Sequence, residues 1–147
     1  MDHAILVNEK IQEGAHLLRA MQHKGVMPKA AMWFYDSDAE TWKLIVASEK
    51  LDEDYLSSYR ILGGIIRELG LKNLNVSEVQ LTKTSDPLIQ GIASMQEIER
   101  TAPIDFVKSR ASNIYRMTKS RINGIYVDDA LVYPVSINPV EAQQPVV

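Results

Sequence analysis

The stretch AAMWFYDSDAETWKLIVAS, residues 30–48, constrains the fold most, because two apolar runs of period two flank a polar break. Met32 and Phe34 alternate with Trp33 and Tyr35, and Trp42, Leu44 and Val46 alternate with Lys43, Ile45 and Ala47. Successive side chains of a strand point to opposite faces, so each run predicts a strand with two distinct faces. The break DSDAET is rich in the residues that turns favour, and an antiparallel hairpin is expected. With Met32, Phe34, Leu44 and Val46 assigned to one face, Trp33, Tyr35 and Ile45 fall on the other. One aromatic face is then left over, to be covered by later strands or to serve as a docking surface. Trp33, Tyr35 and Trp42 are the hairpin's candidate partner-binding anchors, since Trp and Tyr dominate the binding energy of protein interfaces.

Helices surround this hairpin in the sequence. Ala4, Val7, Ile11, Ala15, Leu18 and Met21 recur at three and four, predicting an amphipathic helix from Asp2 to about His23. A second is expected over Leu51–Leu69, with acids at its start and Gly70 at its end, where each favours helix termination. Gly63 and Gly64 inside it predict a close approach to the sheet. Residues 76–82 read as a third strand, and Asp86-Pro87 as the cap and first position of a third helix running to about Arg100. Residues 101–112 look irregular. For the C-terminal strands, Asn123-Gly124 and Asp128-Asp129 compete as the turn. The preferred reading has a strand at 114–117, then a hairpin of 122–127 with 130–135 in which Asn123-Gly124 forms a bulge.

The expected architecture is α+β, with a mostly antiparallel sheet of five or six strands and about three helices packed on one face. A chain of 147 residues makes one core, assigned to residues 1–136, with INPVEAQQPVV at 137–147 as a flexible tail. No apolar run approaches the roughly 20 residues that span a bilayer. The start MDHAILVNEK carries no secretory pattern, and a cytoplasmic location is the default expectation.

Chemistry is sparse. With no cysteine there is no disulfide, thiolate nucleophile or zinc-thiolate site. DSDAE places carboxylates as a calcium loop begins, but Thr41 stands where that loop needs glycine and Ala47 where it needs glutamate. His16 and His23 share a helix face about 10 Å apart, too far to hold one ion. His3 lies near the frayed end of that helix. Neither a phosphate-cradling glycine loop nor a nucleophile motif occurs. No catalytic residue, metal site or cofactor is assigned, and the chain is read as leaning away from catalysis. Asp128-Asp129 with Glu78 or Asp105 is a weaker option for acid/base chemistry, and the turn reading is preferred for that pair.

Charge is uneven. Between Phe106 and Val127 lie Lys108, Arg110, Arg116, Lys119 and Arg121 with no acid, leaving eleven bases and nineteen acids, a net of −8, elsewhere. NIYRMTKSRINGIY mixes cations with aromatic rings, as a single-strand nucleic-acid platform does. Tyr115, Arg116, Lys119, Arg121 and Tyr126 are the candidate contacts of that alternative.

The pair of motifs AAMWFYDSDAETWKLIVAS and INGIYVDDALVY resembles a group of small uncharacterised bacterial proteins with an aromatic hairpin and an ING-x-Y-x-[ED]-D-A ending. The likeness spans residues 29–133 and implies a cytosolic bacterial protein of one α+β domain, carrying over no catalytic residue. The leading expectation is a non-catalytic module that binds a protein partner or a second copy of itself through the aromatic hairpin and an exposed sheet edge. The alternative is a nucleic-acid binder or nuclease using segment 108–121.

Overall fold

The computed structural model describes residues 5–50, 53–101 and 114–134. In chain order these form α1 (Asn8–His23), β1 (Ala30–Asp36), β2 (Thr41–Ala47), α2 (Tyr55–Leu69), a single 3₁₀ turn (Val76–Glu78), β3 (Val79–Leu81), α3 (Pro87–Thr101), β4 (Tyr115–Ile122) and β5 (Ile125–Val132). One five-stranded sheet has the order β3-β2-β1-β5-β4. Every pairing is antiparallel except β2 with β3, where α2 returns the chain to its original direction. The α+β class and the mostly antiparallel sheet are as predicted.

The β1–β2 hairpin forms with a loop of four residues, since Asp36 pairs with Thr41. Asp36 Oδ1 accepts from the backbone N–H of Asp38 at 3.0 Å and of Ala39 at 3.2 Å, while Lys43 Nζ lies 3.2 Å from Oδ2. Those interactions, the Ala39 N–H first, hold the Asp36 carboxyl below its ordinary range. Trp33 lies opposite Leu44 and Met32 opposite Ile45. Residues directly opposite in an antiparallel pair share a face, so grouping Met32 with Leu44 is corrected. Trp33, Tyr35, Trp42, Leu44 and Val46 form one face, and Met32 and Ile45 belong to the other.

The helices also divide. Leu17, Leu18 and Met21 of α1 and Leu62 and Ile65 of α2 pack on the Trp33 face. Leu88, Ile89 and Ile92 of α3 pack on the Met32 face, with Ala130 and Val132 of β5. The expectation of three helices on one face is thereby corrected, for a physical reason. Leu44, Ile45, Val46 and Ala47 are all buried, and a strand apolar on both sides needs cover on both.

The Trp33 face contains a hydrogen-bonded chain. Trp33 Nε1 donates to Tyr133 Oη at 3.0 Å, and Tyr133 Oη donates to the Ile11 carbonyl of α1 at 2.6 Å. The backbone of Tyr133 donates to Ala31 at 3.0 Å and accepts from Gln96 Nε2 of α3 at 2.8 Å. Burial pushes the Tyr133 phenol well above its ordinary range, so it stays protonated and able to donate. Gly14 makes room for this arrangement, because a Cβ there would sit 2.3 Å from Tyr133 Oη and 3.2 Å from Trp33 Nε1.

Local signals act as read at several helix ends. Gly70 follows α2 with φ 65°, and Asp86 Oδ1 accepts from Leu88 N at 2.9 Å at the start of α3, whereas α2 begins at Tyr55 rather than Leu51, so that Asp54 is its cap, accepting from Ser57 N at 3.2 Å, and not an acid of its first turn. Helix α1 starts six residues later than expected, after an extended Val7. A contact the sequence did not announce ties α1 to the loop after α2. Glu13 accepts from Asn73 N and Leu74 N at 3.0 and 2.9 Å and from Asn73 Nδ2 at 2.9 Å. Burial opposes that carboxylate's charge, yet these hydrogen bonds hold its pKa below the ordinary value.

Two further expectations are corrected. The C-terminal turn is Asn123-Gly124, at φ 49° and 83°, joining Ile122 to Ile125 with two residues. Positive φ at both central residues gives the turn whose twist matches that of the flanking strands, and Asn-Gly is the pair best suited to it. Asp128 and Asp129 therefore lie within β5. Gly63 and Gly64 do not mark a close approach to the sheet, for no atom of the described residues lies within 4 Å of a Cβ built at either. The 101–112 segment, from residue 102 onward, and the 137–147 tail lie outside the described residues.

These glycines predict opposite responses to alanine. Gly14→Ala gains about 1 kcal/mol of helix propensity but forces an overpacked core and parts Tyr133 from its partners, costing roughly 1–3 kcal/mol for each effect. A lower melting temperature is expected. Gly63→Ala with Gly64→Ala gains about 1 kcal/mol per site with no clash, so thermal denaturation should move up by a few degrees.

Candidate functional site

Trp33, Tyr35 and Trp42, the expected partner anchors, are buried in the cluster beneath α1 and α2. The Tyr35 and Trp42 rings meet at 5.5 Å between centroids with a 60° tilt, an edge-on contact within that cluster. In this fold they contribute packing rather than surface. The aromatic run answers to the core because β1 is central, with β2 and β5 on its two sides.

The described part of the basic segment falls on β4, one of the sheet's two edge strands. Tyr115 and Met117 pack toward α3, and so does Ile122, five positions after Met117. An odd interval means that the strand changes phase between them, and Lys119, at φ 46°, is where it does so. Alternation beside Met117 and Ile122 then places Arg116 and Arg121 together on the face away from α3. Lys108 and Arg110 lie outside the described residues.

Arg116 is committed within the protein. Its Nε donates to Asp129 Oδ1 at 2.9 Å and its Nη2 to Oδ2 at 2.5 Å, a two-point pairing. The Asp129 side chain is only 2% exposed, whereas that of Arg116 is 62% exposed, so the arginine lies as a charged cover over a buried acid. Hydrogen bonding and charge from Asp129 raise the Arg116 pKa. Arg121 stacks over Tyr126, 5.9 Å from the ring centroid, and Tyr126 is half exposed. Of the five alternative contacts, Arg121 and Tyr126 are therefore joined on an open face, Arg116 is engaged, and Tyr115 packs toward α3. Asp128 and Asp129 do not pair as an acid/base site, since Asp129 is held by Arg116. Among the described residues, no three histidine or acidic side chains converge where an ion would sit.

A groove between α2 and residues 74–79 has no counterpart among the sequence candidates. Along it α2 presents Leu56, Arg60, Gly63, Arg67 and Gly70, alternating steps of four and three that keep to one side of a helix. Leu56 is 65% exposed, and Val76 faces it from across the groove at 39%. Arg60 and Arg67 are exposed, and neither side chain forms an ion pair or hydrogen bond with another of the described residues. Among the described residues, the lining includes no acid. The helix's Glu68 lies elsewhere, 3.5 Å from Lys24 of α1. The signal available in the sequence was the stripe itself, together with two glycines in a helix interior that no internal packing requires.

No protein-family model matches the chain, and comparison with curated proteins and with solved structures returns no match.

Replacing Arg116 by Ala strips the cover from a buried carboxylate and should destabilise the protein by roughly 2–4 kcal/mol. Asp129→Asn, which removes the buried charge along with its partner's need, should recover part of that loss in the double variant. Urea denaturation of the two single variants and the double reads the coupling directly. Additive losses would mean that the two side chains do not support one another.

Proposed function

We propose that the protein is a non-catalytic interaction module whose working surface is the groove beside α2. The observation that carries this reading is the exposed apolar stripe of Leu56 and Val76 around Gly63-Gly64. Large exposed side chains beside backbone that a partner can approach closely are what a helix or extended segment docks against. The glycines strengthen the reading, because each costs about 1 kcal/mol of helix stability relative to alanine. Among the described residues, no atom lies within 4 Å of a Cβ added at either. The aromatic hairpin enters this reading as scaffold, holding α2 in place through Trp33-face packing.

A photo-reactive phenylalanine analogue at position 56, expressed in the cell that makes the protein, should yield a discrete cross-linked species. The same analogue at Ile125, which is exposed on the β4–β5 turn, should not. Equal labelling from both positions, or none from 56, removes the groove from consideration.

The nucleic-acid alternative rests on the Arg121–Tyr126 pair on the open face of β4 and β5. With Arg116 engaged by Asp129, two described cations of the segment, Lys119 and Arg121, are available for phosphate. Fluorescence anisotropy with single-stranded oligonucleotides should then give weak binding whose logarithm falls with log salt at a slope no steeper than about −1.5, two charges at roughly 0.7 each. A slope beyond about −3 would restore the basic segment as the working surface.

A further inference from the structure

From the charge pattern of the groove we infer its occupant: an acidic amphipathic helix of a different protein, rather than a second copy of this chain. The inference rests on the α2 groove being the working surface and adds the chemistry of what binds there.

Three observations carry it. First, the groove is cationic within a protein of net charge −3. Arg60 and Arg67 stand one heptad apart on its border, with no acid in the lining and no partner among the described residues. A helix laid along α2 with glutamates or aspartates seven residues apart meets both guanidinium groups, while its apolar stripe covers Leu56 and Val76. Second, Gly63 lines the groove, with Gly64 beside it in sequence, between the two arginines, and neither carries a side chain, so the two helix axes can come close at their crossing. Third, symmetry argues against self-association on this face. Two copies of α2 packed antiparallel and crossing at Gly63-Gly64 would bring Arg60 of each copy against Arg67 of the other, since the two positions are equidistant from the glycine pair. A two-fold interface repeats every contact, so this arrangement makes two like-charge pairs, one on each side of the crossing, with no anion among the described lining residues to separate them. The expectation of a homo-oligomer is redirected accordingly.

The test uses the whole chain, labelled with ¹⁵N, and two designed probes. One is an 18-residue helix-forming peptide with leucines at helical spacing and glutamates flanking that stripe. The other is the same peptide with lysine in place of every glutamate. The acidic peptide should shift amide resonances of residues 56–70 and 74–79, and bind at least tenfold more tightly than the basic one. Arg60→Glu with Arg67→Glu, exposed positions whose replacement leaves the core intact, should reverse that preference. Gly63→Leu, at a position where an added Cβ meets no described atom within 4 Å, should weaken binding of the acidic peptide several-fold without lowering thermal stability. Equal binding of the two peptides, or shifts centred on β4 and β5, would overturn the inference. A wild-type protein that sediments as a dimer, dissociated by Gly63→Leu, would overturn it in favour of a second copy. Cross-linking from position 56 combined with no preference for the acidic peptide would leave the groove as the working surface and discard only the acidic helix.

Discussion

The fold depends on one buried hydrogen-bonded contact, Trp33 to Tyr133 to the Ile11 carbonyl, and on the absence of a side chain at Gly14 that lets it form. Burying an indole N–H and a phenol without partners would cost on the order of 1–3 kcal/mol each, so their mutual pairing permits two large rings to occupy the core. The contact has long reach in sequence. Residue 133 leaves the last strand, residue 33 lies in the central strand and residue 11 in the first helix, so ordering it brings the two ends of the described chain together. Gln96 of α3 reaches the carbonyl of the same tyrosine from the opposite layer, which links the two cores through one residue.

A sheet apolar on both sides follows from that arrangement, and the way its borders are finished directs attention to α2. At the β3 border, Tyr59 Oη accepts from Leu81 N at 3.0 Å, satisfying an edge donor with a side chain from α2. At the β4 border, exposed cations and the positive φ at Lys119 interrupt the regular edge that another strand would need. Lys10 and Glu78 form an ion pair linking α1 to the 3₁₀ turn ahead of β3. The edges and the aromatic hairpin are thus occupied by structural duties. The α2 groove is not, having exposed apolar side chains, bare glycine backbone and cations without counter-ions among the described residues.

Much of the fold was legible because local rules decide it. Asp86 at a helix start, Gly70 at a helix end and alternation through residues 30–47 each act within a few residues, and each acts as read. What failed involved the choice between two permitted local answers. Asn123-Gly124 and Asp128-Asp129 were both acceptable turns until the register of Tyr115–Ile122 with Ile125–Val132 selected the first. The face on which α3 packs cannot be read from α3 at all, since an amphipathic helix suits either side of a sheet that is apolar on both. The site was less legible than the fold. Leu56 and Val76 are ordinary apolar residues in the sequence, and only their exposure distinguishes them.

By itself, then, the sequence determined the class of structure: helices with their capped ends, a central aromatic hairpin, and a chain without the residues that thiol or zinc-thiolate chemistry requires. These are properties of spacing and residue type, which short-range sterics and hydrogen bonding convert directly into local form. The tertiary structure decided which aromatic residues are core, which arginine is free and which glycines are idle. Trp33 and Leu56 are both large and apolar, Arg116 and Arg60 equally charged, Gly14 and Gly63 equally small. What separates the members of each pair is the presence or absence of a neighbour distant in sequence, whether Tyr133 or Asp129, and proximity of that kind is set by packing of the whole chain.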